Sequence, residues 1–227
     1  MRTAIIYDCE YLTVADSPSR FWCGPMDPDP TVVQIGAVRL SLEGEPGSGN
    51  GFALGGELED ELGAAATFEA IVRPRERTGA PAPLDPHFTW LTGIVPERVS
   101  AEGVPLAGAL DRFATFAGDD TCWSWGKDEL NMLAISCWVE GIAPPMGPER
   151  FGNAAGLLLQ TDLDPEFVGR LRSNTIAQAL SVRTPPLRAH DALGDALSVA
   201  YALQHLLREG RLRAEHFGTD PASTLSV

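Results

Sequence analysis

Thr3-Ala4-Ile5-Ile6-Tyr7-Asp8-Cys9-Glu10 is the stretch whose reading decides the fold. Thr3 to Tyr7 is an apolar, partly β-branched run that reads as a buried strand ending at Asp8. In α/β sheets ligands gather beyond the carboxyl ends of the strands. Residues two apart on a strand point the same way, so Asp8 and Glu10 converge on one point. Convergent carboxylates repel unless a cation lies between them, and hard cations such as Mg²⁺ prefer oxygen ligands. The plainer alternative is an exposed strand end with solvated acids.

Outward from this strand, residues 12–30 carry four prolines and read as a loop. Thr31 to Leu40 is a second strand, and Ala65 to Val72 a third, closed by Arg73-Pro74. Between them, residues 43–63 are rich in glycine and acid and read as a long hairpin insertion. Helical spacing follows at Leu84–Leu91 and Leu106–Phe116. A fourth strand runs from Thr121 to Trp125, then Gly126 and a helix from about Asp128 to Val139. Residues 149–160 supply the fifth strand, although Gly152 and Gly156 interrupt it. A short helix at Thr175–Val182 precedes a longer one, Asp191–Arg208, with Leu193, Leu197, Ala200, Tyr201 and Leu207 along its apolar side. Three successive strands followed by alternation predict an α/β fold, a mixed sheet with an antiparallel start and helices on its faces. No internal repeat is visible, and one domain over 1–227 is the economical expectation.

The 227 residues suffice for one substantial core, and 44% are hydrophobic. No run approaches the ~18–20 apolar residues of a membrane span. The first residues lack the h-region of a signal peptide. Cys9, Cys23, Cys122 and Cys137 show neither a C-x-x-C pair nor zinc-like spacing. Reduced thiols in a cytoplasmic protein are the expectation. The net charge of −14 argues against affinity built on a basic surface, though not against an enzyme whose own cations meet phosphate.

Two further segments carry chemistry. In Leu187-Arg188-Ala189-His190-Asp191-Ala192-Leu193-Gly194-Asp195-Ala196, a histidine at a helix mouth and an aspartate five residues on can face the sheet. Histidine, with a pKa of ~6.5, suits proton abstraction near neutrality. Alternatively, Asp191 serves the helix dipole and Asp195 is a surface acid. In Cys122-Trp123-Ser124-Trp125-Gly126-Lys127-Asp128-Glu129-Leu130 a strand ends, the chain turns, and an acid opens a helix. Such acids are commonly only caps. Together the three segments hold the inventory of two-metal phosphoryl chemistry.

Asp8-x-Glu10, an acid after a strand-turn, and His190-x-Ala192-x-x-Asp195-Ala196 form, in this order, a set that resembles the signature of the DEDDh (DnaQ-like, RNase T-like) 3′–5′ exonucleases. Within that superfamily the chain is similar to the Eri-type, histone-mRNA-trimming exoribonucleases. Thr31 to Val38 resembles their second-strand motif, Leu91 to Val99 their LTGI segment, and Ser124-Trp125-Gly126 their turn. The resemblance covers roughly residues 3–210, apart from the 43–63 insertion.

It implies a ribonuclease H-like, mixed five-stranded sheet flanked by helices. It also implies two Mg²⁺ or Mn²⁺ ions held by Asp8, Glu10, Asp128 and Asp195. Asp8 would bridge both ions, Glu10 and Asp195 would hold the ion that binds the attacking water, and Asp128 the other. Glu10 would also touch the terminal 3′-hydroxyl, and His190 would deprotonate the water. Counting from the turn glycine without a gap favours Glu129. Asp128 needs a one-residue deletion, but is the right residue type, keeps Cys137 in register, and is the choice made here. Tyr11, Leu12, Trp90 and Leu91 are the implied substrate contacts. Leu12 stands where the family often has threonine.

Trp90, Leu91 and Ile94 read equally as a wedge under the terminal base or as core, and Trp123, Trp125 and Trp138 as core. Trp22 is a surface packing residue or a base-stacking one. Arg73, Arg75 and Arg77 form the best basic patch, against the plainer reading of a solvated strand end. The implied substrate is the 3′ end of single-stranded RNA or DNA, short strands or overhangs above all, cleaved to 5′-mononucleotides. The second function class is a nuclease-fold binding or regulatory module with little catalysis.

Overall fold

The computed structural model describes residues 2–15, 17, 27–42 and 67–218. Trp22, Cys23, residues 65–66 and the 43–63 insertion lie outside the described residues. The strands are β1 (Thr3–Tyr11), β2 (Val32–Ser41), β3 (Thr67–Ile71), β4 (Cys122–Ser124) and β5 (Phe151–Asn153). They form one sheet in the order β3-β2-β1-β4-β5. β2 pairs antiparallel with β1 and with β3, whereas β4 pairs parallel with β1 and with β5. The mixed five-stranded sheet with an antiparallel start is therefore the one the sequence predicts.

The helices are α1 (Pro86–Thr92), α2 (Pro96–Glu102), α3 (Leu106–Ala117), α4 (Asp128–Glu140), α5 (Ala154–Leu158), α6 (Pro165–Arg170), α7 (Ile176–Ala179) and α8 (Ala192–Arg208). The alternation of β1 sorts its side chains between two cores. Ala4 and Ile6 pack with Val38, Trp123, Leu157 and α8. Ile5, Tyr7 and Cys9 pack with Ile35, Phe68, α3 and α4. Covered on both faces, the strand reads as one continuous apolar run rather than an alternating one. Side chains such as Phe113 and Ile6, fully buried, contribute about 1.5–3 kcal/mol each.

Four local expectations change. β1 does not stop at Asp8: its pairing with β2 continues through Asp8↔Gly36 and Glu10↔Gln34, so both acids are strand residues. The fifth strand is only Phe151–Asn153, because Asn153 caps the following helix by accepting from the Ala155 N–H at 2.9 Å. Gly152 belongs in that strand, since a Cβ there would meet the Trp123 ring at 2.5 Å. On α8, Leu193 and Leu197 are only half-buried, while Ala196, Val199, Leu203 and Leu206 enter the core. The small residues among them let the helix approach the sheet closely. Trp138 is not core: it is 64% exposed, with the Arg77 guanidinium 4.4 Å from its ring centroid.

Candidate active site

Asp8 and Glu10 share a face of β1 with Ala4 and Ile6, the face that α8 covers. The N-terminal turn of α8 lies directly on β2. A Cβ at Gly36 would fall 2.1 Å from the backbone nitrogen of Leu193, so glycine is what admits the helix there. Gln34, paired with Glu10 and fully buried, completes the docking. Its amide nitrogen donates to Glu69 and to Asp191, both at 2.9 Å, and its amide oxygen accepts from the Ala192 N–H at 3.1 Å. Asp191 in turn caps α8 by accepting from the Gly194 N–H at 3.1 Å. On the far side Glu69 accepts from Arg98 at 2.7 Å.

This scaffold fixes two site residues. His190, just before the cap, adopts a left-handed φ of 56°. Asp195, one turn into α8, is buried and accepts hydrogen bonds from the His190 backbone N–H and the Ser173 hydroxyl. One ligand atom each from Glu10, His190 and Asp195 lie within 4.8 Å of one another. Asp195 is thus no surface acid, and Asp191 is the helix cap that the alternative reading assigned to it.

α4 delivers its acid differently. β4 ends at Ser124, and Gly126 turns the chain at φ 92°. Its N–H donates to the Asn153 side chain at 3.0 Å. The helix then begins without a side-chain cap. The two candidate acids at the start of this helix are placed differently. Asp128 is exposed, whereas Glu129 is 8% exposed and, after burial itself, is the first influence that raises the Asp8 pKa. Neighbouring residues on a helix point about 100° apart. A one-residue difference in the starting register therefore exchanges the solvent face for the cleft. Asp128 instead acts on Tyr11, whose phenol is raised by burial first and by Asp128 next.

Four carboxylates thus share one buried neighbourhood. Burial is the main cause that raises each; neighbouring acids add to it, Glu129 and Asp195 acting on Asp8, Asp195 and Asp191 on Glu10, Asp128 on Glu129 and Asp191 on Asp195. Glu10 is pushed up to about 8, Glu129 and Asp195 each to about 7, and Asp8 well above the carboxylate range. For Glu10 this corresponds to a penalty on the order of 5 kcal/mol against the charged form. Desolvation lowers His190, so its imidazole is neutral at neutral pH. Glu129 Oε2 and Asp195 Oδ1 are buried without a hydrogen-bond partner. Clustered, repelling carboxylates with orphaned oxygens and one imidazole fit a hard divalent cation.

The implied substrate contacts separate. Leu12 is core, packed with Val33, Phe88 and Ile94. Leu91 and Tyr11 are half-buried. Trp90 is 77% exposed, its ring 5.7 Å from that of His87, which removes the core reading for it and leaves that reading to Ile94. The arginine patch is already engaged. Arg77 holds Asp29 through two hydrogen bonds of 2.8 and 2.5 Å, Arg73 the Gly103 carbonyl at 2.5 Å, and Arg75 the Gly79 carbonyl at 2.6 Å. Sequence reading gave no role to Gln34, Glu69, Ser173 or Arg188. A glutamine inside an otherwise apolar strand was the one signal available for them, since a buried amide needs partners.

Comparison with solved structures yields nucleases. A 3′-exonuclease recognising the 3′ end of the histone mRNA stem-loop matches at TM-score 0.65 and 16% identity, over 93% of this chain and 65% of that one. Cell-death related nuclease 4 matches at TM-score 0.64 and 16% identity, over 92% and 65%. E. coli Exonuclease I in complex with a dA16 oligonucleotide matches at TM-score 0.56 and 14% identity, over 96% and 42%. The chain therefore spans slightly under two thirds of the first two of these proteins and 42% of the third. No family model and no curated protein matches the chain. The ribonuclease H-like fold of these nucleases is the fold of this chain.

Proposed function

We propose that the chain is a single-domain, metal-dependent 3′–5′ exonuclease of the DEDDh type. It hydrolyses single-stranded RNA or DNA from the 3′ end and releases 5′-mononucleotides. One observation carries this reading: buried Asp8, Glu10, Glu129 and Asp195, with His190 among them, gather at one edge of a sheet whose fold is that of 3′-exonucleases. In this reading Glu129 replaces Asp128 as the third acid.

The four carboxylates would hold two Mg²⁺ or Mn²⁺ ions, with Asp8 and Glu10 supplied by the strand and Glu129 and Asp195 by helix starts. Bound cations would lower the pKa of the attacking water and offset charge on the leaving 3′-oxygen. His190, kept neutral by desolvation and oriented by its backbone bond to Asp195, accepts the proton of that water. Substrates are short single strands or overhangs, because an acidic surface holds only the few nucleotides next to the cations. A cytoplasmic setting belongs to the same proposal and rests on the sequence expectation of reduced thiols.

The test uses 5′-labelled single-stranded RNA and DNA oligomers with Mn²⁺, Mg²⁺ or EDTA, beside Asp8→Ala. A ladder shortening from the 3′ end, lost with EDTA and in the variant, is the expected result. Well-folded protein that shortens neither substrate with either metal overturns it and leaves a binding module.

A further inference from the structure

Beside the site stands an arginine that neither its ligand set nor the sequence reading uses. Arg188 stands two residues before His190, on the exposed part of the loop that leads into α8. Its Nη2 donates to the Thr92 carbonyl at 2.5 Å, at the end of α1. The guanidinium lies against the left-handed turn at Gly93, φ 66°, where a Cβ would meet Nη2 at 1.8 Å. Glycine at 93 therefore clears the space in which the arginine head lies. Pinned across this gap, Arg188 is the positive group among the leading influences on the four carboxylates, acting on Glu10 without forming an ion pair with it.

Other arginines near this edge of the sheet are spent. Arg77 is neutralised by Asp29, and Arg98 by Glu69 and Glu102. Among the described residues, Arg188 meets no carboxylate at hydrogen-bond distance, and its bond to Thr92 is the one recorded for its side chain. A guanidinium carries five N–H donors in a planar fork that matches phosphate oxygens. An anion seated between Arg188 and the ions that the carboxylate cluster would hold would satisfy the donors that remain.

We propose that Arg188 binds a phosphate group of the substrate strand at the mouth of the carboxylate cluster. It adds a positive contact, beside the bound cations, through which a protein of net charge −14 holds a polyanion. This rests on the exonuclease reading and adds to it a substrate-binding residue.

The experiment compares wild type with Arg188→Gln, which keeps a donor for the Thr92 carbonyl, and with Arg188→Lys. Each is tested on a six-nucleotide, fluorescently labelled single strand. Binding is followed by anisotropy in EDTA across a salt series, and turnover is followed in Mn²⁺. Thermal stabilisation by Mn²⁺ alone is the third readout. Loss of a charge-assisted contact predicts that Arg188→Gln raises KM and Kd by about 10–100-fold, with kcat changed far less. The dependence of log K on log salt becomes shallower by about one unit. Arg188→Lys restores the salt slope but only part of the affinity, and the Mn²⁺ stabilisation stays at or above that of wild type. An unchanged KM and salt slope with a fall in kcat or in Mn²⁺ stabilisation overturns the inference, because Arg188 then only ties the loop to α1. Wild type that cleaves while Arg188→Gln matches it defeats this inference alone. Wild type that neither cleaves nor binds the strand defeats the exonuclease reading as well.

Discussion

Two helices, α8 and α4, each open beside Asp8 and Glu10 and each present one acid to them, but by opposite means. The α8 start carries its own cap, Asp191, which Gln34 and Gly36 of the distant β2 then seat against the sheet. The α4 start has no side-chain cap and is placed by a turn at Gly126 and by Asn153 from a neighbouring strand. Where the cap is in the sequence, the facing of Asp195 is readable. Where a distant residue sets the turn, a one-residue slip swaps Glu129 for Asp128.

Both helix acids share one liability, their repulsion with Asp8 and Glu10, and it gives the largest expected effect. With Glu10 at about 8 and Glu129 and Asp195 at about 7, the metal-free fold binds more protons than the unfolded chain, whose carboxylates titrate near ~4. Stability is therefore fully present below that pH and is lost as pH rises from about 4 to 8, by about 5 kcal/mol for Glu10 alone and on the order of 10 kcal/mol if the three shifts add. Thermal melts in EDTA should show Tm falling over this window, and Mn²⁺ should remove most of the fall. A flat metal-free profile would mean that the acids do not crowd as described.

Next in size is the contrast between neighbours on α4. Glu129→Gln should lower kcat about 100-fold or more, as for loss of a preorganised charge. Asp128→Asn should change it by about twofold, the scale of a surface substitution. The reverse ranking would restore Asp128 as the third acid. Gly36→Ala breaks the α8 side: its methyl meets the Leu193 backbone, which costs about 2–3 kcal/mol and, with the displaced Asp195, most of the activity. Chemical denaturation and the exonuclease assay measure the two together. The smallest effect is on the α4 side. Asn153→Ala frees the Gly126 N–H and should lower stability by about 1 kcal/mol. It should also shift the Mn²⁺ affinity, since the Gly126 turn sets the first turn of α4, while the Ser136 bond to Val32 holds the helix farther along.

Much of the fold was legible because period and punctuation are local. β1, β2, α3 and α8 lie within a few residues of where apolar runs, prolines and glycines put them. α2 and α6 were not read, although Pro96 and Pro165 stand at their first positions, because each is a single short turn-pair with few buried residues. Gly152 argued against a strand only because the Trp123 ring that covers it comes from another strand.

The sequence by itself determined the mixed sheet, the pair Asp8 and Glu10 on one face, and His190 ahead of a capped helix carrying Asp195. Strand alternation, caps and helix period are properties of neighbouring residues, and they survive without a fold. Only the tertiary structure decided that Glu129 rather than Asp128 faces the acids, that Trp90 is solvent-exposed while Leu12 is core, and that Gln34 anchors the histidine loop. Each of these depends on which surface a side chain meets after strands far apart in the chain have paired, and local spacing carries no record of that partner.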